Sequence, residues 1–130
     1  MQISVYTDGG SRGNPGHSGY GLVIYDESQQ ILFKEAKYLG IKTNNEAEYA
    51  GLIGALTWIK QNQESKNITQ INFHSDSQLM VRQLQGAYKV RAPNLIPIFQ
   101  KKINYLPFFY NYFSFINSSF WTNSHKLRQN

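Results

Sequence analysis

The sequence predicts an α/β domain, a mixed β-sheet with helices packed on it, and three observations carry that reading. Residues 1–42 hold three β-prone runs joined by turn signals, which together make an antiparallel meander. Between Asn44 and Gln61 the apolar spacing switches from period two to the helical period. A further β-prone run then leads into Asp76, and a strand–helix–strand crossover attached to a meander gives a mixed sheet.

Ile3, Val5 and Thr7 alternate with Ser4, Tyr6 and Asp8, a strand with Asp8 on the face opposite Ile3. The glycine-rich stretch Gly9–Gly16 reads as a loop. Gly19–Asp26 and Ile31–Leu39 are the next two strands, split by the hairpin signal Asp26-Glu27-Ser28. Tyr49, Leu52, Ile53, Leu56 and Ile59 form the apolar stripe of a helix behind the start signal Asn44-Asn45. Glu46 and Glu48 fall in its first turn, where the helix dipole favours carboxylates, and Glu46 reads as a solvated acid. Ile71, Phe73 and Ser75 continue as a strand. A short helix is expected over 77–84, ended by Gly86, another from Pro93 to about Tyr105, and a last strand over 108–116.

The chain has 130 residues without internal repeat or linker, so 1–130 reads as a single domain. The absence of cysteine excludes disulfides, thiolate zinc sites and thiol nucleophiles. No apolar run approaches the roughly 18 residues of a spanning helix. The start Met1-Gln2-Ile3-Ser4 lacks a signal-peptide layout, so a cytoplasmic monomer with no membrane partner is the expectation. Charge is unevenly divided. Residues 1–76 hold six Lys/Arg and all eight Asp/Glu, whereas residues 77–130 hold seven Lys/Arg and no acid. A basic half on a small domain points to a polyanionic partner, nucleic acid first.

Three acids stand out by position. Asp8 ends the first strand, Glu48 lies in a helix's first turn, and Asp76 ends a strand before a helix. If the strands of Asp8 and Asp76 are parallel neighbours, both carboxylates emerge at the carboxyl-end edge where open α/β sheets place their sites. Three carboxylates suit a hard, oxygen-liking cation, Mg²⁺ or Mn²⁺, over zinc. Taken singly, each acid also fits a cap or a dipole partner. His17 reads as a loop residue and His74 as a sheet residue, neither as a base.

Tyr6-Thr7-Asp8-Gly9-Gly10-Ser11-Arg12-Gly13-Asn14-Pro15-Gly16, then Thr43-Asn44-Asn45-Glu46-Ala47-Glu48-Tyr49, then Ser75-Asp76-Ser77-Gln78 and Gly86-Ala87-Tyr88-Lys89-Val90 resemble the type 1 ribonuclease H family. The likeness is greatest to the compact bacterial and archaeal branch, and runs from about residue 2 to residue 116. It implies a ribonuclease-H-like sheet of five strands in the order 3-2-1-4-5. It also implies endonucleolytic cleavage of the RNA strand of RNA–DNA hybrids with two metal ions. Asp8, Glu48 and Asp76 match the catalytic metal ligands. Gly9, Gly10, Ser11, Asn14, Asn45 and Gln78 sit where the family contacts the RNA strand in the minor groove, and Thr43 matches a phosphate-positioning residue for the DNA strand. Asn44-Asn45 with Gln78 argues against a related resolvase or integrase core.

The resemblance also implies a fourth carboxylate on a C-terminal helix, and here the sequence departs from the family. No Asp or Glu follows Asp76. The best overlay puts His125 at the acid's position, and Asn117 where the family pattern starts with histidine. Either His125, Asn123 or water completes a reduced site, or the tail 117–130 is foreign through truncation or a frame shift. Residues 105–121 contain nine of the nineteen aromatics, which favours the foreign tail. The alternative to a hydrolase is a hybrid- or duplex-binding domain with weak or lost activity.

Overall fold

The computed structural model describes residues 1–77, Met80 and Arg82, and the backbone of 113–117. Five strands and one long helix make up the described architecture: β1 Gln2–Arg12, β2 Gly16–Tyr25, β3 Ile31–Lys42, α1 Asn44–Asn62, β4 Gln70–Ser75 and β5 Phe113–Asn117. The sheet order is β3-β2-β1-β4-β5, the expected one. β1–β2 and β2–β3 pair antiparallel, while β4 lies parallel to β1 and β5 parallel to β4. Met80 and Arg82 are helical. The rest of the helix expected over 77–84, and the helix expected from Pro93, lie outside the described residues.

Period-two patterning decides which face of the sheet is covered. Ile3 pairs with Ile71, Val5 with Phe73 and Ile24, and Thr7 with Leu22. All are buried. The helical stripe of Tyr49, Leu52, Leu56 and Ile59 is buried with them in one core cluster. Burial also pushes the Tyr49 hydroxyl pKa well above its ordinary range. At the far side of α1, Phe33 and Trp58 stack at 5.9 Å, and the Tyr20 hydroxyl donates to Glu35 past Gly54, where a Cβ would leave no room.

The glycine-rich segment departs from expectation. Gly9–Gly16 is not one loop: β1 runs through Gly9 and Gly10 to Arg12, and only Gly13–Pro15 turn. The β2 ladder, with Gly9↔Tyr20, Gly10↔Gly19 and Arg12↔His17, supplies partners that override the low strand propensity of glycine. Gly13 takes the positive φ (81°) that the tight turn needs, and the Asn14–Pro15 peptide is cis.

The start of α1 also differs in detail. The N-cap is Thr43, whose Oγ1 accepts the Glu46 N–H at 3.1 Å, while Glu46 Oε1 accepts the Thr43 N–H at 3.0 Å. This reciprocal capping box satisfies two backbone donors, so Glu46 is a structural acid and not a solvated one.

Gly9 is where β1 and α1 meet most closely. A Cβ there would lie 2.5 Å from the Ala47 carbonyl and 2.6 Å from the Glu48 nitrogen, all backbone atoms that cannot swing aside. At neighbouring Gly10 the nearest atom would be 4.0 Å away. Gly9→Ala should therefore destabilise the fold by roughly 1–3 kcal/mol, the usual cost of overpacking, whereas Gly10→Ala leaves stability unchanged. Thermal melts of the two variants beside the parent check this, and equal melting temperatures would refute the close approach.

Candidate active site

The parallel ladder between β1 and β4 ends at Tyr6↔His74. Two residues further along the chain in each case stand Asp8, still within β1, and Asp76, just past the end of β4, so the crossover topology delivers both to one carboxyl-end edge. The third acid comes from α1. Because Gly9 lets the first turn of the helix sit against β1, Glu48 reaches the same point. Carboxylate oxygens of Asp8, Glu48 and Asp76 all lie within 4.8 Å of one another. Asp8 is 2% exposed, Glu48 7%, and Asp76 is half-buried. Both Asp8 oxygens and Glu48 Oε2 are shielded from solvent.

A polar clamp fixes the helix start against the β1–β2 hairpin. Asn44 Oδ1 accepts from the Ser11 N–H at 2.8 Å and from the Ser11 hydroxyl at 3.0 Å. The Asn44 N–H in turn donates to Asn14 Oδ1 at 3.0 Å. Ser18, buried beside them, donates to the carbonyls of Gly16 and Lys42 at 2.8 and 2.9 Å, tying the hairpin to the chain entering α1.

An open groove of about 1340 Å³ runs from the three acids along the sheet, lined by Gly9, Gly10, Ser11 and Asn45 near the carboxylates. Of the residues singled out from sequence, Asp8, Glu48 and Asp76 are thus brought together, and these four lie beside them. Asn14 and Thr43 are engaged in the clamp and the cap. Gln78, Asn123 and His125 lie outside the described residues. Sequence reasoning missed Asn44 as the clamp. It also missed the capping box, whose Thr-x-x-Glu signature stands in the chain at 43–46.

His74 stacks on Tyr6 at 4.3 Å and 12°, and burial lowers its pKa, which favours the neutral ring and fits the sheet residue expected of it. A smaller cavity of about 530 Å³ lies between α1 and β3 near Phe33 and Trp58, away from the carboxylates.

Comparison with known proteins adds an independent line. The RNase H family model matches residues 1–106. The "Bifunctional protein Rv2228c" of Mycobacterium tuberculosis is 38% identical over 100 residues, covering 76% of this chain and 26% of that protein. "Ribonuclease HI" of Halobacterium salinarum is 36% identical over 94 residues, covering 72% and 45%. The chain thus spans about a quarter to under half the length of these curated relatives. The crystal structure of LC11-RNase H1 in complex with an RNA/DNA hybrid aligns with a TM-score of 0.79 at 40% identity, covering 87% of this chain and 82% of that one. A family model over most of the chain, and a shared sheet carrying three converging carboxylates, leave one conclusion: the chain belongs to the ribonuclease H family.

Proposed function

We propose that the chain is a metal-dependent endoribonuclease that hydrolyses the RNA strand of RNA–DNA hybrids. The observation that carries this is the convergence of Asp8, Glu48 and Asp76 at the end of a long open groove. Their donor set fits the ions the family implies: hard carboxylate oxygens, with no imidazole or thiolate in the described cluster, suit Mg²⁺ or Mn²⁺. Two such cations, when bound, activate a water and stabilise the leaving 3′ oxygen of the scissile phosphate.

The remaining roles belong to the chain's own residues. Asp8 is the most buried of the three acids, with both oxygens shielded from solvent, and with Glu48 and Asp76 it would hold the ions. Gly10, where a Cβ would meet nothing closer than 4.0 Å, leaves room for a sugar–phosphate backbone to approach the sheet. Backbone groups of Gly9–Ser11, with the side chains of Asn14, Asn45 and Gln78, are the donors and acceptors for the 2′-hydroxyls that distinguish RNA from DNA. Thr43 positions a phosphate of the DNA strand. We infer that the protein acts as a cytoplasmic monomer of a single domain over 1–130. Among the described residues no helix is long and apolar enough to cross a membrane. The lack of any acid after Asp76 favours a second reading, a hybrid-binding domain with reduced hydrolysis.

Cleavage of a labelled RNA–DNA hybrid, beside single-stranded RNA and duplex DNA, tests the proposal. Asp8→Asn and Asp76→Asn each remove a charged ligand at constant volume, so each should abolish cleavage and leave hybrid binding largely intact. The same variants should lose the rise in melting temperature that Mg²⁺ gives the parent, since a ligand that binds only the folded state stabilises it. Cleavage at the parent rate by either variant would show the carboxylate site to be misassigned.

The missing fourth acid has its own consequence. With no acid after Asp76 in this sequence, one of two bound cations would have fewer anionic ligands, so activity should be low in Mg²⁺ and partly restored in Mn²⁺, which binds oxygen and nitrogen donors more tightly. His125→Asp should raise Mg²⁺ activity severalfold if the tail docks as the family's last helix does. Ordinary Mg²⁺ activity in the parent, lost on His125→Ala, would instead make His125 a working ligand.

A further inference from the structure

We propose that the sheet face opposite α1 carries a trough that binds the cleaved strand beyond the scissile phosphate, running from Asp8 across β2 to β3. It rests on the hybrid-hydrolase reading and extends it to His17, Lys34 and Tyr38, which lie outside the family motifs. Cross-strand register defines the floor. Asp8 pairs with Gly21, which pairs with Ala36, and Gly10 pairs with Gly19, which pairs with Tyr38. Gly10, Gly21 and Ala36 contribute one methyl group between them, and Gly19, where β2 and β3 slip register and the Lys37 carbonyl comes close, has no side chain, so the surface beside Asp8 is a shallow channel crossing three strands.

Its walls differ from its floor. On one side the register aligns Arg12 with His17, next to Tyr38. On the other, Tyr6 pairs with Val23 and Val23 with Lys34. Arg12, His17, Lys34 and Tyr38 are all exposed, Tyr38 by 65%. A 2.7 Å hydrogen bond joins His17 Nδ1 to the Tyr38 hydroxyl, and the two rings stack at 6.0 Å. That pairing props an aromatic face at the channel's rim, with no apolar core of its own to bury it. All four side chains line the same groove as the three acids.

Dimensions and charge suit a polynucleotide strand. Same-face residues along a strand repeat at about 6.7 Å, so the walls stand about 13 Å apart at Lys34 and Tyr38 on β3 and about 20 Å apart at Tyr6 and Arg12 on β1, wide enough for one backbone. Crossing from β1 to β3 covers about 10 Å, some three steps at the ~3.4 Å axial rise per nucleotide. Beyond the trio, the described acid lining the groove is Glu35, on the α1 side and engaged by Tyr20. Arg12 and Lys34 therefore present cations to phosphates with no competing carboxylate between them. Tyr38 offers a ring for a base or sugar, a contact indifferent to sequence.

The test uses the full chain with Lys34→Ala, Tyr38→Ala and the double variant, with Lys66→Ala in the turn after α1 as control. KM and kcat come from hybrid cleavage. Kd comes from fluorescence anisotropy of a labelled hybrid, measured in an Asp8→Asn background. The double variant should raise KM and Kd about tenfold with kcat within twofold of the parent, while Lys66→Ala changes neither. Lys34→Ala alone should lower the log–log salt slope of binding by roughly 0.7–0.9, one phosphate contact, and Lys34→Arg should restore it. Because the altered side chains are exposed, melting temperatures should match the parent. KM and Kd within twofold of the parent in the double variant would overturn the trough even if the protein is an active hydrolase. Weakened hybrid binding by the same variant, in a protein that cleaves no hybrid, would uphold the trough and sink the hydrolase reading.

Discussion

Everything at the candidate site depends on how closely α1 can lie on β1 at Gly9. A methyl group there would overlap the Ala47 carbonyl and the Glu48 nitrogen. Moving the helix out by the ångström or so needed to clear it would carry Glu48 away from Asp8, since both belong to the elements being separated. The rest of the local structure reads as reinforcement of that approach. Gly51 faces Thr7 and Tyr20 further along the same contact, Asn44 clamps the first turn to Ser11 and Asn14, and the Thr43–Glu46 box closes the helix start. The strand, the turn and the helix cap thus converge on one position, and the carboxylates inherit it.

Electrostatics opposes the arrangement that packing enforces. Carboxylates within 4.8 Å repel by roughly 3 kcal/mol per pair at an effective dielectric of 20, several times the net worth of an ordinary hydrogen bond. Burial of Asp8 and Glu48 strengthens the repulsion. The hydrophobic cluster of α1 with β1, β2 and β4 holds the acids together against it, so the site is prepared in advance for cations and does not assemble around them. The strain is local, and a divalent ion bound between the three carboxylates would relieve it.

Much of this was legible in the sequence, for identifiable reasons. Asp8, Glu48 and Asp76 stand at the junctions of strand, loop and helix signals, and strong periodicity on either side fixes which edge each carboxylate reaches. The core stripe of α1 was equally plain, because Tyr49, Leu52, Leu56 and Ile59 have no competing pattern. Gly9–Arg12 was misread as loop because local propensity is silent about pairing: the partners on β2, from Tyr20 opposite Gly9 to His17 opposite Arg12, decide it. Glu46 was misread because an acid in a first turn has two uses, and only the position of Thr43 as N-cap distinguishes them. Asn44 escaped notice because its clamp joins residues 30 and 33 positions apart, a relation no window along the chain contains.

The same geometry explains how an acidic centre and a polyanionic substrate can share one groove. Without cations, the three carboxylates repel a phosphodiester at the point where it must be cut, while Arg12 further along β1 and Lys34 on β3 attract it. Cations bound at the trio would reverse the sign at the acidic end and make the groove attractive along its whole length. Metal and nucleic acid then favour each other's binding by the same factor, because linkage between two sites is reciprocal. Selectivity for a polynucleotide over a free mononucleotide follows from the layout: only a chain long enough to reach from Asp8 to β3 gains from both ends at once. The trough and the metal site are therefore two halves of a single electrostatic design, separated by a floor of glycines that keeps the path between them clear.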